Sequence, residues 1–372
     1  MGGVTAESAM QILCVNVGSS TVKGGRYVDE GGGPVLRRVA AVEGGSSSFD
    51  GLLDALGIGA SDAPDVVCHR IVHGGPDRTE HALLTPAVRA QLDAALSFAP
   101  LHLPAELAVI DAMAARFPDA TGVVCLDTAF HRTMSDVATT FALPARLRAG
   151  GIQRFGFHGL SYEYVVDRVG AGALGRAVIA HLGRGVSLAA VSDGRSQDTT
   201  MGLTPTGGVV MSSRSGDLDP GVLLHLLRRG DVTADELAHV LDHESGMFGL
   251  SGSSADMRVL LAERAQHPGA AMAVDVFCHS VRKAVGALAA VLGGIDSLVF
   301  TAGIGEHAPD VRSQICEGLG HLGVVLDSER NAADAAVISV DGAPVSVRVV
   351  ATDENLMMAR HAARLVAPGP AT

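Results

Sequence analysis

Short apolar runs punctuated by glycine and hydroxyl residues open the chain: Ile12-Leu-Cys-Val-Asn-Val17, then Gly18-Ser-Ser-Thr21, then Val22 to Val28. Runs of that length, rich in β-branched residues, predict strand, tight turn, strand. The same reading predicts strands at 66–72, 123–126, 177–182, 187–191, 297–301, 336–340 and 345–350. Elsewhere the apolar spacing lengthens to three and four. Helices are expected over 104–117, with Pro at its first position and Leu107, Ile110, Met113 and Ala114 on one face, and over 269–292, with Val274, Phe277, Val281, Val285, Leu288 and Leu292. A last helix is expected from about Glu354 to Leu365, and Ala302 to Glu306 is expected as a tight turn. Strands alternating with helices predict an α/β chain.

Residues 1–10 carry no pattern and read as a disordered leader, with Met10 as a candidate start. Gly150-Gly151 is a plausible hinge. The strand ending at Leu182, with Gly183 and Gly185 and then a return strand, echoes the opening one: Asn16, Gly18 and Ser20 correspond loosely to His181, Gly183 and the 185–187 segment. Two domains that each begin with strand, turn, strand would suit a ligand held between them.

Charge narrows the chemistry. With 28 Lys+Arg against 40 Asp+Glu, the net charge of −12 argues against a nucleic-acid surface. Only Lys23 and Lys283 are lysines, and neither lies in a Gly-x-x-x-x-Gly-Lys-Ser/Thr loop or a protein-kinase context. Gly170, Gly172 and Gly175 have dinucleotide-loop spacing but follow a helix and enter a strand, the reverse of the required order. Gly249 to Ser253 lacks the closing glycine of a nucleophile elbow. Five scattered cysteines, four in apolar stretches, read as buried free thiols in a reducing compartment. No His-Glu-x-x-His, secretory signal or myristoylation pattern is present, and the longest apolar run, Ala284 to Ile295, is too short to span a bilayer. A soluble, cytoplasmic protein is expected.

What remains is a set of polar residues at strand ends and turns, where reactive groups tend to sit. It comprises Asn16-Val-Gly18-Ser19-Ser20, His69-Arg70-Ile-Val72-His73-Gly-Gly, Leu126-Asp127-Thr128, Phe155-Gly-Phe157-His158-Gly, His181-Leu-Gly183-Arg184-Gly185 and Ser213-Arg214-Ser-Gly216-Asp217. A hydroxyl-rich turn after a strand can cradle phosphate, and a buried arginine needs an anionic partner. Structural alternatives exist for each: Arg70 and Arg214 could pair with a local carboxylate such as Asp217, Asp127 could cap a helix, and Glu354 could complement a helix dipole.

In order and spacing, across nearly the whole chain, these motifs resemble the acetate kinase family, within the superfamily of sugar kinases, actin and chaperone ATPases. The resemblance implies an α/β fold of two ribonuclease-H-like (actin-like ATPase) domains with ATP in a cleft between them, and a homodimer. The expected division is 11–149, completed by a C-terminal helix at about 354–368, and a nucleotide-binding and dimerisation domain at 150–353. It further implies reversible transfer of the ATP γ-phosphoryl to acetate, with magnesium or manganese as cofactor and no nucleic-acid or membrane partner.

By position, the resemblance makes Asn16 the phosphate-loop asparagine, and Arg70 and Arg214 the arginines on the carboxylate and the moving phosphoryl. Asp127 stands beside metal and phosphate, and His158 stabilises the transferring group. His181, Gly183, Arg184 and Gly185 form the second phosphate loop; Ser19, Ser20 and Lys23 join the nucleotide set. Asp256-Met257-Arg258 lies beside the adenosine, and Gly303-Ile304-Gly305 under the adenine and α-phosphate. Glu354 and Asn16 are the metal candidates, and Val72, Leu101, Phe157 and Pro205 the acyl pocket. Three positions depart from the pattern: Arg184 and His307 each replace an asparagine, and Asn355 replaces a glutamate. Val72 favours acetate, because propionate-preferring relatives tend to have a smaller residue there. A propionate or other short-acid kinase, and a non-catalytic nucleotide-binding regulator, are the alternatives.

Overall fold

The computed structural model describes residues 9–18, 21–44, 49–59, 62–100 and 102–367. Two compact units divide the chain, one running to Ala129 and resuming at Asp353, the other spanning Phe130–Thr352. The division falls ahead of the 149/150 boundary expected from the glycine pair. The cause is local: His131 Nδ1 lies 2.8 Å from Ser196 Oγ, Thr133 Oγ1 donates to Ser196 O (2.9 Å), and Arg154 donates to the carbonyls of Thr199, Thr200 and Met201. These bonds tie the 130–155 segment into the second unit.

The first unit holds β1 (Met10–Val17), β2 (Thr21–Asp29), β3 (Pro34–Glu43), β4 (Val66–Ile71), β5 (Ala82–Leu83) and β6 (Thr121–Leu126) in the order β3-β2-β1-β4-β6-β5. β1, β2 and β3 form an antiparallel meander, whereas β4 and β6 run parallel to β1. Leu13, Val15 and Val17 pack with Leu52, Leu53 and Leu56 and with Val109, Met113 and Phe117, so helices Phe49–Leu56 and Leu103–Arg116 cover one face. The other face takes helix Glu354–Val366: Cys14 donates to Asn355 O (3.4 Å) and Cys68 to Met358 O (3.5 Å). All five cysteines are free and buried.

The second unit holds β7 (Ala177–Leu182), β8 (Val186–Ser192), β9 (Arg195–Thr199), β10 (Ser297–Thr301) and β11 (Ser346–Val349) in the order β11-β10-β7-β8-β9. Again a meander, β7 to β9, is followed by strands parallel to its first member. Every residue of β7 is buried, as a central strand covered on both faces requires. Asn16 and His181 are each the penultimate residue of a central strand. The turns close alike, Gly18 N donating to Thr21 O (2.8 Å) and Gly183 N to Gly185 O (3.1 Å). The hairpin echo therefore belongs to a repeated strand plan, and the α/β class with two ribonuclease-H-like units holds.

Two of the expected elements differ. Ala302–His307 is a short helix instead of a turn; Thr301 precedes it, and the buried Arg312 holds the Gly305 and Glu306 carbonyls at its end, each at 2.9 Å. The 336–340 run forms no strand, only single bridges from Val337 to Arg348 and from Ser339 to Leu326. Its backbone is shared between two partners, Ile338 N donating to Val347 O of β11 (2.8 Å) and Asp327 N to Ile338 O (2.8 Å), so neither pairing extends into a ladder. β3, an edge with Val35, Leu36 and Val39 exposed, and the polar β9 went unread in the sequence. Among the described residues no helix is long and apolar enough to cross a membrane.

Candidate active site

In the first unit the carboxyl ends of parallel strands converge, which is where open α/β sheets place ligands. Arg70, on β4, donates from Nε to Asp127 Oδ1 (3.0 Å) and from Nη2 to Asp127 Oδ2. Its Nη1 reaches Asn16 Oδ1 at 3.4 Å, and Asn16 Nδ2 donates to Glu354 Oε2 at 3.2 Å. Four of the expected residues thus form one chain: Asp127, Arg70, Asn16, Glu354. Asp127 is fully buried just past β6, with its amide on Ile71 O (3.0 Å). Burial works against the Arg70 charge, but the Asp127 and Glu354 carboxylates more than offset it and push the guanidinium pKa up. Glu354 opens its helix, so the dipole role and the Asn16 bond coexist.

Val72 is buried directly beyond β4. Its amide donates to Glu106 Oε2 at 3.0 Å. Lys23 pairs in register with Asn16 but is exposed. Ser19, Ser20 and Leu101 lie outside the described residues. On β4, burial pushes His69 down to about 4, which keeps it neutral.

The second unit assembles different groups. His158 has a left-handed backbone (φ 59) at the start of helix Gly159–Val169. Its ring stacks on His181, with centroids 4.1 Å apart and planes 12° from parallel. His158 Nδ1 lies 2.8 Å from Ser187 Oγ, which lies 2.5 Å from Tyr162 Oη. His181 Nδ1 lies 2.8 Å from Ser161 Oγ, which accepts from Thr352 Oγ1 at 2.9 Å. Each imidazole therefore ends a relay of two hydroxyls. Burial pushes the Tyr162 pKa up, so its hydroxyl stays protonated. Two imidazolium ions at this spacing would repel strongly.

The glycines of the second loop keep the space beside these rings open. A Cβ on Gly185 would stand 3.0 Å from His158 Nε2 and 3.6 Å from Arg214 Nη1; one on Gly183 would stand 3.4 Å from His181 Nε2. Arg214 Nη1 also donates to Pro205 O (3.3 Å), whereas Asp217 Oδ1 takes the Gly208 amide (2.7 Å). Phe157 is buried, and its carbonyl lies 3.0 Å from His131 Nε2. His158, His181, Gly183, Gly185, Arg214 and Pro205 are thereby brought together.

The remaining expected residues lie on two further helices of this unit, the first packed on the end of β7, where a Cβ on Gly305 would stand 3.7 Å from Leu182 Cβ. Gly303, Ile304 and Gly305 form the short helix after β10. Asp256 caps helix Met257–Glu263 and pairs with Arg258 at 2.6 Å on the surface. The Arg258 side-chain bond, against burial and with the Arg258 amide, the Arg258 charge and lastly the Arg184 charge, holds the Asp256 carboxyl below its usual range. Arg184 thus lies within electrostatic reach of the 256–258 segment. His307 is exposed, 3.8 Å from Glu306.

Sequence reasoning missed Glu106, Tyr162, Ser161 and the relay role of Ser187. Glu106 left a signal: it is the one carboxylate within the Leu103, Leu107, Ile110 and Met113 face of its helix. The hydroxyls left none, because serine spacing does not report which strand a helix lies against.

The model of the acetokinase family matches residues 45–360. An acetate kinase of Rhodopseudomonas palustris strain TIE-1 is 47% identical over 310 residues, 82% of this chain and 77% of the relative. The crystal structure of Porphyromonas gingivalis acetate kinase is 32% identical with a TM-score of 0.83, over 96% of this chain and 100% of that one. A propionate kinase from Francisella tularensis subsp. tularensis SCHU S4 gives 31% and 0.86, also over 96% and 100%. Matched in sequence over most of its length and in fold over nearly all of it, the chain belongs to the acetokinase family and is a kinase.

Proposed function

We propose that the protein catalyses reversible transfer of the ATP γ-phosphoryl to acetate, giving acetyl phosphate and ADP. The observation carrying this reading is the chain Asp127–Arg70–Asn16–Glu354, which presents a guanidinium locked in place by buried carboxyl chemistry. Acetate is ionised at neutral pH, so attack needs no general base. The obstacle is repulsion between a carboxylate and a polyphosphate, which arginines and a metal offset. In the in-line displacement an acetate oxygen bonds to the γ-phosphorus as the bond to the β,γ-bridging oxygen breaks. ADP leaves with that electron pair, and no proton moves.

In this reading Arg70 grips the carboxylate, Arg214 follows the moving phosphoryl, and Asp127 holds Arg70 in register. His158, its Nδ1 engaged by Ser187, offers Nε2 to the equatorial oxygens. Amides at Gly183 to Gly185 and the side chains of His181 and Arg184 receive nucleotide phosphates, with 256–258 and 303–305 at the adenosine. Val72, Leu101, Phe157 and Pro205 take the methyl group. Asn16 Oδ1 and the Glu354 carboxylate are hard oxygen donors of the kind magnesium takes, and they would hold it. Bound there, the ion would offset phosphate charge.

The full reading is a cytoplasmic homodimer. Buried free thiols suit a reducing compartment, and helix Pro220–Arg229 leaves Val222, Leu224 and Leu227 exposed for a second copy. Trapping the acyl phosphate with hydroxylamine, using magnesium-ATP and acetate or propionate, tests the reaction. Hydroxamate from acetate at the higher kcat/KM is expected, because Val72 narrows the pocket. A preference for propionate would move the substrate to the longer acid. No hydroxamate from any short acid would sink the kinase reading in favour of a nucleotide-binding regulator, which Arg184, His307 and Asn355 would then explain.

A further inference from the structure

Helix Leu103–Arg116 turns Leu103, Leu107, Ile110 and Met113 into the core, and Glu106 goes in with them, only 2% exposed. Its Oε2 accepts the Val72 amide at 3.0 Å. Its Oε1 is buried and finds no hydrogen-bond partner among the described residues. A carboxyl half satisfied in the interior is costly as an anion unless a cation is near. The cation acting on it is Arg70, and Asp127 acts against it. Arg70 already answers to Asp127 and Glu354, so Glu106 is a third carboxyl sharing one guanidinium.

Resting on the acid-kinase reading, we propose that Glu106 is a positioning residue for the acid substrate. It pins the backbone of Val72, and its charge state sets how much of the Arg70 charge is left for the incoming carboxylate. With Glu106 neutral, Arg70 faces the substrate with more of its charge. With Glu106 ionised, part of that charge is already answered, and the acid binds more weakly.

Burial pushes Glu106 up to about 7, while Arg70 and the Val72 amide pull the other way, so both forms are populated near neutrality. The acid itself stays ionised throughout that range. Of the other groups on the elements packed here, His69 on β4 is held neutral by burial, at about 4. On β1, the Cys14 thiol donates to Asn355 O. His73, just past Val72, accepts the Gly75 amide at Nδ1 (2.8 Å). Raising the pH through 7 therefore adds one negative charge beside Arg70, and the KM for the acid rises.

The test is steady-state kinetics of the full chain at saturating magnesium-ATP, from pH 6 to 8.5, for the parent and Glu106→Gln. Glutamine can still accept the Val72 amide but cannot ionise. In the parent the KM for acetate rises ~3- to 10-fold across the range, as one charge at several ångströms would produce. In Glu106→Gln that rise disappears, and kcat follows the parent's pH profile. Glu106→Asp, which ionises but is one methylene too short for the amide, keeps the slope and raises KM at every pH. A parent that turns over with a flat KM, or a slope shared by parent and Gln variant, overturns this inference alone. A parent forming no acyl phosphate at any pH overturns the functional reading with it.

Discussion

The two units share one strand plan and fill it with opposite chemistry. At the penultimate position of the central strand the first carries Asn16 and the second His181. Around Asn16 stand charged groups, Arg70, Asp127 and Glu354, and the titrating Glu106 acts on the same guanidinium. Around His181 stand neutral donors and acceptors: a second imidazole, two serines, a tyrosine and a threonine. A repeated scaffold delivers strand ends to the same places, and the side chains there decide what the place does. Buried charge is anchored by counter-charge, and removing one partner strands the other. Hydroxyl relays fix ring orientation at small cost, so their loss should cost less stability than a stranded charge.

That contrast can be broken by experiment. The largest effect is expected from Arg70→Ala. It leaves Asp127 buried without its guanidinium, so the variant should lose about 3–5 kcal/mol in denaturant unfolding and more than ~100-fold in kcat/KM. Normal stability would mean that the first unit is not organised by charge. Next, Arg214→Ala should lose ~100-fold in kcat while calorimetry still records ATP binding. Unchanged turnover would remove Arg214 from the site.

Ser187→Ala should cost ~10-fold in kcat and about 1–3 kcal/mol of stability, less than Arg70→Ala, since it takes Ser187 from the His158 ring and the buried Tyr162 hydroxyl without emptying a charge pair. A loss of stability there as large as that of Arg70→Ala would erase the distinction between the units. The smallest effect is a stability crossover in Glu106→Gln. The folded carboxyl titrates near 7, above its ordinary value of 4.5, so the folded state binds the extra proton. Parent stability therefore falls as pH rises from about 4.5 to 7. The variant should melt level with the parent near pH 5 and above it at pH 8, and a constant gap across pH would contradict the titration.

The residues at strand ends were legible because each polar side chain interrupts an apolar run: Asn16 in β1, Arg70 in β4, Asp127 after β6. The pairing of Arg70 with Asp127 was not, since it depends on β4 and β6 being neighbours across 57 positions of chain. Ala302–His307 reads as a turn because two glycines in six residues weaken a helix, and Arg312, which holds its carbonyl end, comes later in the sequence. The 336–340 run has strand-like alternation but divides its backbone bonds between β11 and the 325–327 segment, a split that alternation does not report. Glu106 is hidden in the helical period, which its apolar members carry, and the informative residue is the exception among them.

The C-terminal helix has a further consequence, in the order of synthesis. The second unit is one continuous stretch, Phe130–Thr352, whereas the first is interrupted by it and resumes at Asp353. Domains usually fold from the N-terminus as they emerge. Here the segment that covers Cys14 and Cys68 and supplies Glu354 leaves the ribosome after the whole of the second unit. The unit begun first is thus finished second, and for most of translation its sheet stands uncovered on one face, awaiting thirteen residues that have not yet been made.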